Sequence, residues 1–508
     1  NAAEKEKRKA AMPAPVQQLR QSVERMKVSE SPASSAPGTP GTPSRSHMPP
    51  APKLAYTREH ILHELQQQEQ NCQREIGLVV VGHVDAGKST LMGRMLVELG
   101  HVTDREHHQN VRNSSKAGKG SFAYAWSLDS SEEERAHGVT IDVAHDTFRT
   151  ERTLFHLLDA PGHKDFVPNM ISGAAQADAG VLVVDAITGE FESGFSPQGQ
   201  TREHATLLRS LGVQQLVVAI NKLDAMDYQQ ARYEDIVAQL TPFLSHCGFD
   251  MLHVQFVPVA GVTGENLRAR SESGSLATWY HGDTLAEALD KLQQPSRLYD
   301  APLRMPVNNV FKGGSLISSG LGVSGRIVSG VVQVGEVLRA LPGDAWGIVK
   351  TIECESDTRP WAAAGAIVTL YLTQIEANEV SVGSILCVPS SPVPLCREVL
   401  VQLLVFAPTY PILPGTAVEV FHHSAEIPAQ ITELVSLLDR ASGDVIRLRP
   451  RVLSRHATAV VRVSLGRQRG HGAGFPLEVF STNKDMARLL FRMHGETIAA
   501  GIIIEATP

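Results

Sequence analysis

Short apolar runs alternate with stretches of helical periodicity between Ile76 and Tyr299. This alternation predicts a parallel sheet with packed helices, because parallel strands need crossover connections. The predicted strands are Leu78–Val81, Leu154–Leu158, Val181–Asp185, Leu216–Asn221 and Val254–Val259. Polar motifs follow most of these runs directly. They therefore fall at the carboxyl edge of the sheet, where a doubly wound fold binds its ligand.

The pattern changes after Pro302, where helical periodicity weakens and short β-rich runs separated by glycines continue to the end of the chain. Runs such as 322–328 predict one or two β-barrels. A stretch rich in Pro and Ser at Cys387–Pro394 predicts the boundary between two barrels. We therefore expect one α/β domain at 76–299 and two β-barrel domains, at 300–390 and 391–508.

Residues 1–75 form a separate N-terminal extension. Ser29–Pro52 is dominated by small residues and proline, cannot bury enough apolar surface to fold alone, and is predicted to be disordered. One helix face is predicted from Val16, Leu19, Val23 and Met26. Two interpretations stay open for it: a docking helix for a partner, or a helix without one. A second predicted helix, Ile61–Glu75, leads into the first strand. Because the chain begins at Asn1 rather than Met, we expect the natural N-terminus upstream.

Composition narrows the class of protein. A length of 508 residues predicts about two to four domains, and 42% hydrophobic with 20% charged residues is typical of a soluble globular protein. The net charge of -7 gives no overall attraction to nucleic acid, so any such contact needs a local basic patch. Five cysteines without C-x-x-C spacing favour a reducing compartment such as the cytoplasm. No apolar run of membrane-spanning length appears, so we expect no membrane partner.

A phosphate-binding loop follows the first predicted strand. The run GHVDAGKST lies between an apolar strand and a helical stretch. Its glycines let backbone N–H groups surround phosphates, Lys88 supplies a charge for the β- and γ-oxygens, and the Ser89 hydroxyl is a candidate Mg²⁺ ligand. The candidate nucleotide-binding residues of this loop are Gly82, His83, Val84, Asp85, Ala86, Gly87, Lys88, Ser89 and Thr90.

Two further motifs turn a nucleotide site into a guanine-nucleotide site. Asp159 would hold Mg²⁺ through water, and the Gly162 N–H would contact the γ-phosphate. The motif Asn221-Lys222-Leu223-Asp224 closes the fourth predicted strand. The Asp224 carboxylate can accept hydrogen bonds from both N1–H and the amino group of guanine, a pair that adenine lacks. The expected ligands are therefore GTP and GDP.

Two residues are candidates for sensing and hydrolysing the γ-phosphate. Thr140 would bind Mg²⁺ only while that phosphate is present; an ordinary strand residue is the alternative that stays open. His163 follows Gly162 directly and is the candidate catalytic residue, orienting the attacking water. Positioning and charge stabilisation contribute more to phosphoryl transfer than proton abstraction does.

With these motifs in place, the chain resembles the translational GTPases of the elongation factor 1-alpha and EF-Tu superfamily from about residue 76 onwards. The supporting motifs are GHVDAGKST at 82–90, DAPGHKDFVPN at 159–169, QTREH at 200–204 and NKLD at 221–224. The resemblance implies an α/β P-loop GTPase domain followed by two β-barrel domains. It also implies Mg²⁺-dependent GTP hydrolysis stimulated by the ribosome.

Three eukaryotic branches of this superfamily compete. Elongation factor 1-alpha usually begins almost directly with the GTPase domain and is basic, whereas this chain has an extension and is acidic overall. Eukaryotic release factor 3 also carries an extension. The segments 116–126, 162–166, 361–365 and 497–501 are more similar to the HBS-type ribosome-rescue GTPases. Two alternatives stay open: a termination GTPase like release factor 3, and a scaffold that holds GTP with little turnover.

The HBS-type resemblance implies a particular role. Such proteins bind the tRNA-shaped factor Pelota, deliver it to the empty A site of a stalled ribosome and hydrolyse GTP at the ribosomal GTPase centre; mRNA surveillance follows. The N-terminal extension would be the contact for RNA-decay machinery. The resemblance also implies an apolar gate of Val84 and Val139 around His163, and a monovalent cation at Asp85.

Two positions depart from the family pattern. The usual Arg before the switch glycine is His137, which would weaken a switch contact with ribosome or partner. The usual Ser of the last guanine-contacting loop is Ala260. A backbone N–H of Ala260 or Gly261 can still reach the guanine oxygen, so we expect weaker bracing of the loop rather than lost binding.

Arginines crowd the last third of the chain. They are Arg447, Arg449, Arg451, Arg455, Arg462, Arg467 and Arg469. Two interpretations stay open: a surface for ribosomal RNA or a partner, and a solvated barrel face.

Overall fold

The computed structural model describes residues 54–70, 74–116, 123–128, 134, 140, 142–197, 199–270, 274–313, 320–354, 357–406, 408–440, 442–466 and 474–507. The predictions for Val16–Met26 and Ser29–Pro52 lie outside these residues. So do His137, Val139, Arg467 and Arg469. Among the described residues, no helix is both long and apolar enough to cross a membrane.

A six-stranded sheet carries the motifs. Its strands are β1 (Arg74–Gly82), β2 (Ala144–Arg149), β3 (Thr153–Asp159), β4 (Ala179–Asp185), β5 (Gln215–Asn221) and β6 (Val254–Pro258). Their order is β2-β3-β1-β4-β5-β6, with β2 antiparallel at the edge and every other pairing parallel. All five predicted strands are present. The polar edge strand β2 buries only Phe148 and was not predicted.

Helices precede, connect and follow these strands along the chain. They are α1 (Arg58–Gln70), α2 (Lys88–Glu98), α3 (Asp104–Lys116), α4 (Val167–Ala174), α5 (Glu190–Phe195), α6 (Gln200–Leu211), α7 (Gln230–Cys247) and α8 (Leu285–Asp290). Alternate residues of β1 pack into opposite cores: Leu78 and Val80 join one with α2, and Val79 and Val81 join another with α4 and α6. Burial on both faces explains why the strands read as continuous apolar runs.

The rest of the chain forms two barrel-like β-domains, as predicted. The first contains β7 (Arg304–Pro306), β8 (Asn309–Lys312), β9 (Leu321–Arg326), β10 (Val331–Gln333), β11 (Val337–Leu341), β12 (Ala345–Cys354), β13 (Asp357–Arg359), β14 (Trp361–Ala363), β15 (Ile367–Thr373) and β16 (Ile385–Cys387). Its main sheet curls along the path β7-β16-β11-β12-β15-β9-β8, with β13 on β12 and a separate pair β10-β14.

The second barrel closes on itself. Its strands are β17 (Leu395–Cys396), β18 (Glu398–Val405), β19 (Thr416–His422), β20 (Ala425–Leu438), β21 (Val445–Leu448), β22 (Thr458–Leu465), β23 (Phe475–Pro476), β24 (Arg488–Met493) and β25 (Glu496–Thr507). The order β19-β24-β25-β18-β22-β20 returns to β19 through the β19–β20 pairing. The predicted domain limits at residues 300 and 391 stay predictions.

Helix α1 differs from its prediction at both ends. The helix spans Arg58–Gln70, and β1 begins at Arg74, so the predicted extent to Glu75 is wrong. Glu75 pairs with Leu154 in the sheet instead. Sheet pairing thus overrides a helical tendency at this boundary.

A buried carboxylate ties the sheet to the first barrel. Asp178 precedes β4 and forms two 2.7 Å hydrogen bonds with Arg297. It also pairs with Arg326 of β9 and accepts the Gly77 N–H at 2.9 Å. Burial alone would raise the pKa of Asp178, but the two guanidinium groups outweigh it and hold that pKa well below its usual range.

Candidate functional site

Most of the predicted site residues line one pocket, whereas Gly82, His83, Ala86, Asp159 and Ala260 lie outside its wall. It encloses about 390 Å³ at the carboxyl edge of the sheet, beyond the ends of β1, β3, β5 and β6. The predicted residues in its wall are Val84, Asp85, Gly87, Lys88, Ser89, Thr90, Thr140, Gly162, His163, Asn221, Lys222, Asp224 and Gly261. Five separate stretches of sequence therefore converge on one cavity.

The phosphate loop has the backbone geometry that its glycines allow. Gly87 has φ 84°, in the left-handed region, and caps α2. A Cβ at Gly87 would lie 2.7 Å from the Asn221 amide nitrogen, so a side chain does not fit. The Lys88 ammonium donates to the carbonyls of Gly82 at 3.1 Å and His83 at 2.9 Å. Burial lowers the pKa of Lys88 to about 8, so an anionic phosphate is a suitable partner for its charged form.

Two side chains of α6 hold this loop from behind. His204 Nδ1 accepts the Gly82 N–H at 3.2 Å, and Gln200 Oε1 accepts the Val84 N–H at 3.2 Å. Burial lowers the pKa of His204 to about 3, so its ring is neutral and one nitrogen is free to accept. Sequence reasoning assigned neither residue to the site. The signal was the i, i+4 spacing in QTREH, which puts both on one helix face.

Three oxygen-bearing side chains converge beside Lys88. The Ser89 hydroxyl donates to Asp159 Oδ2 at 2.5 Å and lies 3.2 Å from the Thr140 hydroxyl. Thr140 lies outside any strand, so the alternative of an ordinary strand residue is wrong. Asp159 is fully buried; among the described residues its Oδ1 atom has no hydrogen-bond partner. Burial raises the pKa of Asp159 to about 6. This oxygen set fits a hard cation such as Mg²⁺.

The asparagine of the base motif braces two loops. Asn221 Nδ2 donates to the Ala86 carbonyl at 2.9 Å, while its Oδ1 accepts the Gly261 N–H at 2.9 Å. The phosphate loop and the loop after β6 are therefore fixed to the end of β5. Asp224 stands free of this bracing in the pocket wall, at the start of the 3₁₀ turn Leu223–Met226.

Lys222 has a partner that the sequence did not reveal. Its ammonium donates to the Asp85 carbonyl at 2.6 Å and to Asp185 Oδ2 at 2.7 Å. Asp185 ends β4, one strand away from the motif. The sequence feature that could have indicated this role is that Asp185 is an acidic residue at the end of an apolar strand. The ion pair with Asp185 fixes the Lys222 side chain in the pocket wall.

The loop after β6 already uses the N–H groups expected to contact guanine. The Ala260 N–H donates to the Glu265 carbonyl at 3.2 Å, and the Gly261 N–H donates to Asn221. A guanine contact from either group requires exchange of that bond. Ala260 itself is fully buried.

His163 lies at the pocket rim. Its Nδ1 accepts the Asp165 N–H at 3.3 Å and so caps the 3₁₀ turn Lys164–Phe166. The side chain is 47% exposed. Val84 of the predicted gate also lines the pocket, while Val139 is outside the described residues. The structure thus holds the imidazole beside the cavity, with its side chain open to solvent.

The described arginines of the arginine-rich stretch, Arg447, Arg449, Arg451, Arg455 and Arg462, lie on the second barrel and do not line this pocket. Arg447, Arg449, Arg451 and Arg455 are exposed. Arg462 instead donates to Glu398 at 2.8 Å and Glu433 at 3.4 Å across neighbouring strands. A structural role therefore accounts for Arg462, and the two interpretations stay open for the other four.

Two family descriptions match the chain. Residues 73–295 match "Elongation factor Tu GTP binding domain", and residues 398–504 match "GTP-eEF1A C-terminal domain-like". The second match covers the closed barrel. The first covers the whole motif-bearing sheet.

Relatives and solved structures agree with these matches. The chain is 41% identical to Protein HBS1 of Drosophila melanogaster over 428 residues, 84% of this chain and 62% of that protein. It is 40% identical to Elongation factor 1-alpha of Pyrobaculum calidifontis over 438 residues, 85% of this chain and 95% of the relative. Its fold resembles the GTP-bound GTPase-like domain of Saccharomyces cerevisiae Ski7, with TM-score 0.70 at 17% identity and coverage of 86% and 98%.

Proposed function

Because the chain belongs to the translational GTPases of the EF-Tu and elongation factor 1-alpha family, we propose that it delivers a tRNA-shaped, Pelota-like factor to stalled ribosomes and hydrolyses GTP there. The observation that supports the GTPase chemistry is the pocket lined by Lys88, Ser89 and Asp224, with Asp159 buried behind it and bonded to the Ser89 hydroxyl. The identity of the delivered factor is proposed from the resemblance to HBS-type proteins and not from this pocket.

Overall identity does not choose among the family branches, since the values for the HBS1 and elongation factor 1-alpha relatives are 41% and 40%. Support for the HBS-type role comes from the acidic net charge of -7, the long extension and the motif segments described above. The chain spans 62% of the length of the Drosophila protein, so whole-protein activities and partners are proposals for this chain.

We propose that GTP binds with its phosphates in the loop Gly82–Thr90 and its base against Asp224. Lys88 would shift from the loop carbonyls to the β- and γ-oxygens, where its charge has a better partner. Ser89, Thr140 and, through water, Asp159 would hold Mg²⁺, which supplies charge neutralisation at the transferred phosphate. The monovalent cation at Asp85 stays a prediction.

Hydrolysis then needs a water aligned with the γ-phosphate. Its oxygen forms the new P–O bond while the bond from the γ-phosphorus to the bridging oxygen breaks, giving GDP and phosphate. We propose that His163 turns inward from its cap on Asp165 and orients this water when the ribosome engages the pocket rim. That cap is a 3.3 Å hydrogen bond, beside an Asp165 carboxylate oxygen 3.4 Å from the same Nδ1. Both contacts are at an exposed position, so exchanging them costs little.

A competition experiment tests the delivery role. The chain is immobilised, loaded with a non-hydrolysable GTP analogue and presented with equal concentrations of purified Pelota-like factor and release factor 1. We expect selective retention of the Pelota-like factor. Selective retention of release factor 1 would favour the termination alternative. A GTP complex that binds the Pelota-like factor but releases no phosphate on ribosomes would favour the scaffold.

A further inference from the structure

The first barrel carries an apolar surface that a segment from far away in the sequence covers. The surface consists of Val331 and Gln333 on β10 and Trp361 and Ala363 on β14, which pair as a two-stranded sheet. We call it the β10–β14 surface. Its occupant is α1, nearly 300 residues earlier in the sequence.

Apolar side chains of α1 are buried on the β10–β14 surface. Ile61 is 1% exposed and Leu65 is 8% exposed, and both share one cluster with Ala363. They are four residues apart, so they lie on the same face of the helix. His63 and Gln67 point to solvent. The contact therefore uses one specific face of an amphipathic helix.

Polar contacts fix the start of the helix on the same surface. The Gln333 side-chain amide pairs with the backbone of Tyr56, accepting its N–H at 3.2 Å and donating to its carbonyl at 3.2 Å. Arg58 donates to the carbonyls of Tyr299 at 3.2 Å and Ala301 at 3.1 Å. Both carbonyls belong to the connection between α8 and β7. The segment thus contacts the barrel and the interdomain connection together.

The far end of α1 is tied to the nucleotide-binding sheet. Gln70 and Arg74 are four peptide units apart, which limits their Cα separation to about 15 Å. From Arg74 the chain enters β1, which leads directly into the phosphate loop. The Glu75 carbonyl accepts from Arg297 at 3.1 Å, in the same interdomain connection. A helix fixed to the first barrel is therefore on a short tether to the start of β1.

We propose that α1 is an intramolecular strap: by docking on the β10–β14 surface it holds the first barrel against the nucleotide-binding sheet, and its release permits the two to reorient. Such a strap restricts a two-state domain equilibrium through contacts that exist in only one state. The proposal is independent of which factor the chain delivers.

The test uses the full chain with a fluorescence-transfer pair installed through non-canonical amino acids at exposed positions 234 and 382, on α7 and on the first barrel. The strap variant is Ile61→Asp with Leu65→Asp, which puts two charges into the apolar contact. The matched control is His63→Asp with Gln67→Asp on the solvent face of the same helix. Hydrogen exchange reports whether residues 58–70 have left the barrel. Binding of a fluorescent GDP within twofold of the unchanged chain shows that the nucleotide domain remains folded.

We expect the strap variant to release residues 58–70 and to raise the fraction of molecules with an altered 234–382 separation from ~10% or less to ~50% or more, while the control variant stays at the lower value. An unchanged separation with α1 released would overturn the strap. So would retained exchange protection of α1 in the strap variant, because Ile61 and Leu65 would then not be what holds it.

Discussion

The Nδ1 atom of His204 accepts the backbone N–H of Gly82 at 3.2 Å, at the point where β1 turns into the phosphate loop. The same helix reaches the second barrel, where the Thr497 hydroxyl donates to Glu203 at 3.3 Å. Neighbouring residues of α6 therefore contact the loop on one side and the barrel on the other. This helix joins the closed barrel to the nucleotide pocket by direct contacts.

Replacing His204 tests the support of the phosphate loop. In His204→Ala the Gly82 N–H loses a buried acceptor, which costs about 1–3 kcal/mol. We expect GDP affinity, measured by displacement of a fluorescent analogue, to fall by about tenfold. His204→Asn offers a carbonyl oxygen near the position of Nδ1 and should recover most of the affinity. Equal affinity of His204→Ala and the unchanged chain would show that the contact does not hold the loop.

Replacing Asp224 tests the reading of the base. Asn at this position presents an amide N–H where guanine presents its own donors, so GTP should bind at least about 100-fold more weakly. Xanthosine triphosphate carries an oxygen in place of the guanine amino group and should become the better ligand. Isothermal titration calorimetry with GTP and with xanthosine triphosphate measures this change in preference. Retained preference of Asp224→Asn for GTP would place base selection elsewhere.

Asp178→Asn tests the clamp between the sheet and the first barrel. The change leaves Arg297 and Arg326 without their buried carboxylate, and we expect the free energy of unfolding to fall by about 3–5 kcal/mol in chemical denaturation. Asp344→Asn removes the 55% exposed partner of Arg339 and serves as the control, with a loss of about 1 kcal/mol or less. Similar losses in both variants would contradict the clamp.

The clamp also has a defined pH dependence. The folded pKa of Asp178 lies below its unfolded value of about 3.9. The stabilisation that ionised Asp178 gives to the folded state is therefore complete above about pH 3.9 and is lost as the pH falls below that value. The difference in unfolding free energy between the unchanged chain and Asp178→Asn should shrink below about pH 4. A difference that stays constant to lower pH would assign the effect to packing instead.

We expect His422 to cause a second pH dependence of stability, at milder acidity than that of Asp178. Burial lowers its pKa to about 4, and its Nε2 contacts the Met486 carbonyl at 2.9 Å. The unfolded chain takes up a proton near pH 6.5, whereas the folded chain does so only near 4. The contribution of the neutral His422 ring to the free energy of unfolding is therefore complete above about pH 6.5. About 3 kcal/mol of this contribution is lost as the pH falls to 4. His422→Gln should show a shallower fall in denaturation experiments between these pH values; an identical slope would contradict it.

The sequence predicts the parts of the fold whose residues carry their own pattern. Strands such as Val181–Asp185 are buried on both faces and read as apolar runs, while β2 buries Phe148 alone and shows no run. The end of α1 was misplaced because Glu75 is held by sheet pairing with Leu154, a contact outside any local window. Local pattern thus identifies buried elements, and tertiary pairing sets their limits.

The same division applies to the site. Lys88, Asp159 and Asp224 belong to motifs whose spacing indicates their chemistry. The structure places Lys88 and Asp224 in the wall of one pocket, and Asp159 behind that wall, where it accepts from Ser89. His204 and Asp185 act from behind it, through bonds to Gly82 and Lys222. Their roles depend on which helix and strand lie next to the loop, a relation that one sequence does not display.

Single-turnover release of phosphate from bound GTP, with and without ribosomes carrying the Pelota-like factor, tests the central claim most directly. We expect ribosomes to accelerate release by about 10³-fold or more for the unchanged chain. His163→Ala should lose about 10²-fold or more of the accelerated rate while binding GTP within twofold, because it lacks the group that orients the water. No acceleration by ribosomes, or full acceleration in His163→Ala, would contradict a ribosome-triggered GTPase that uses His163.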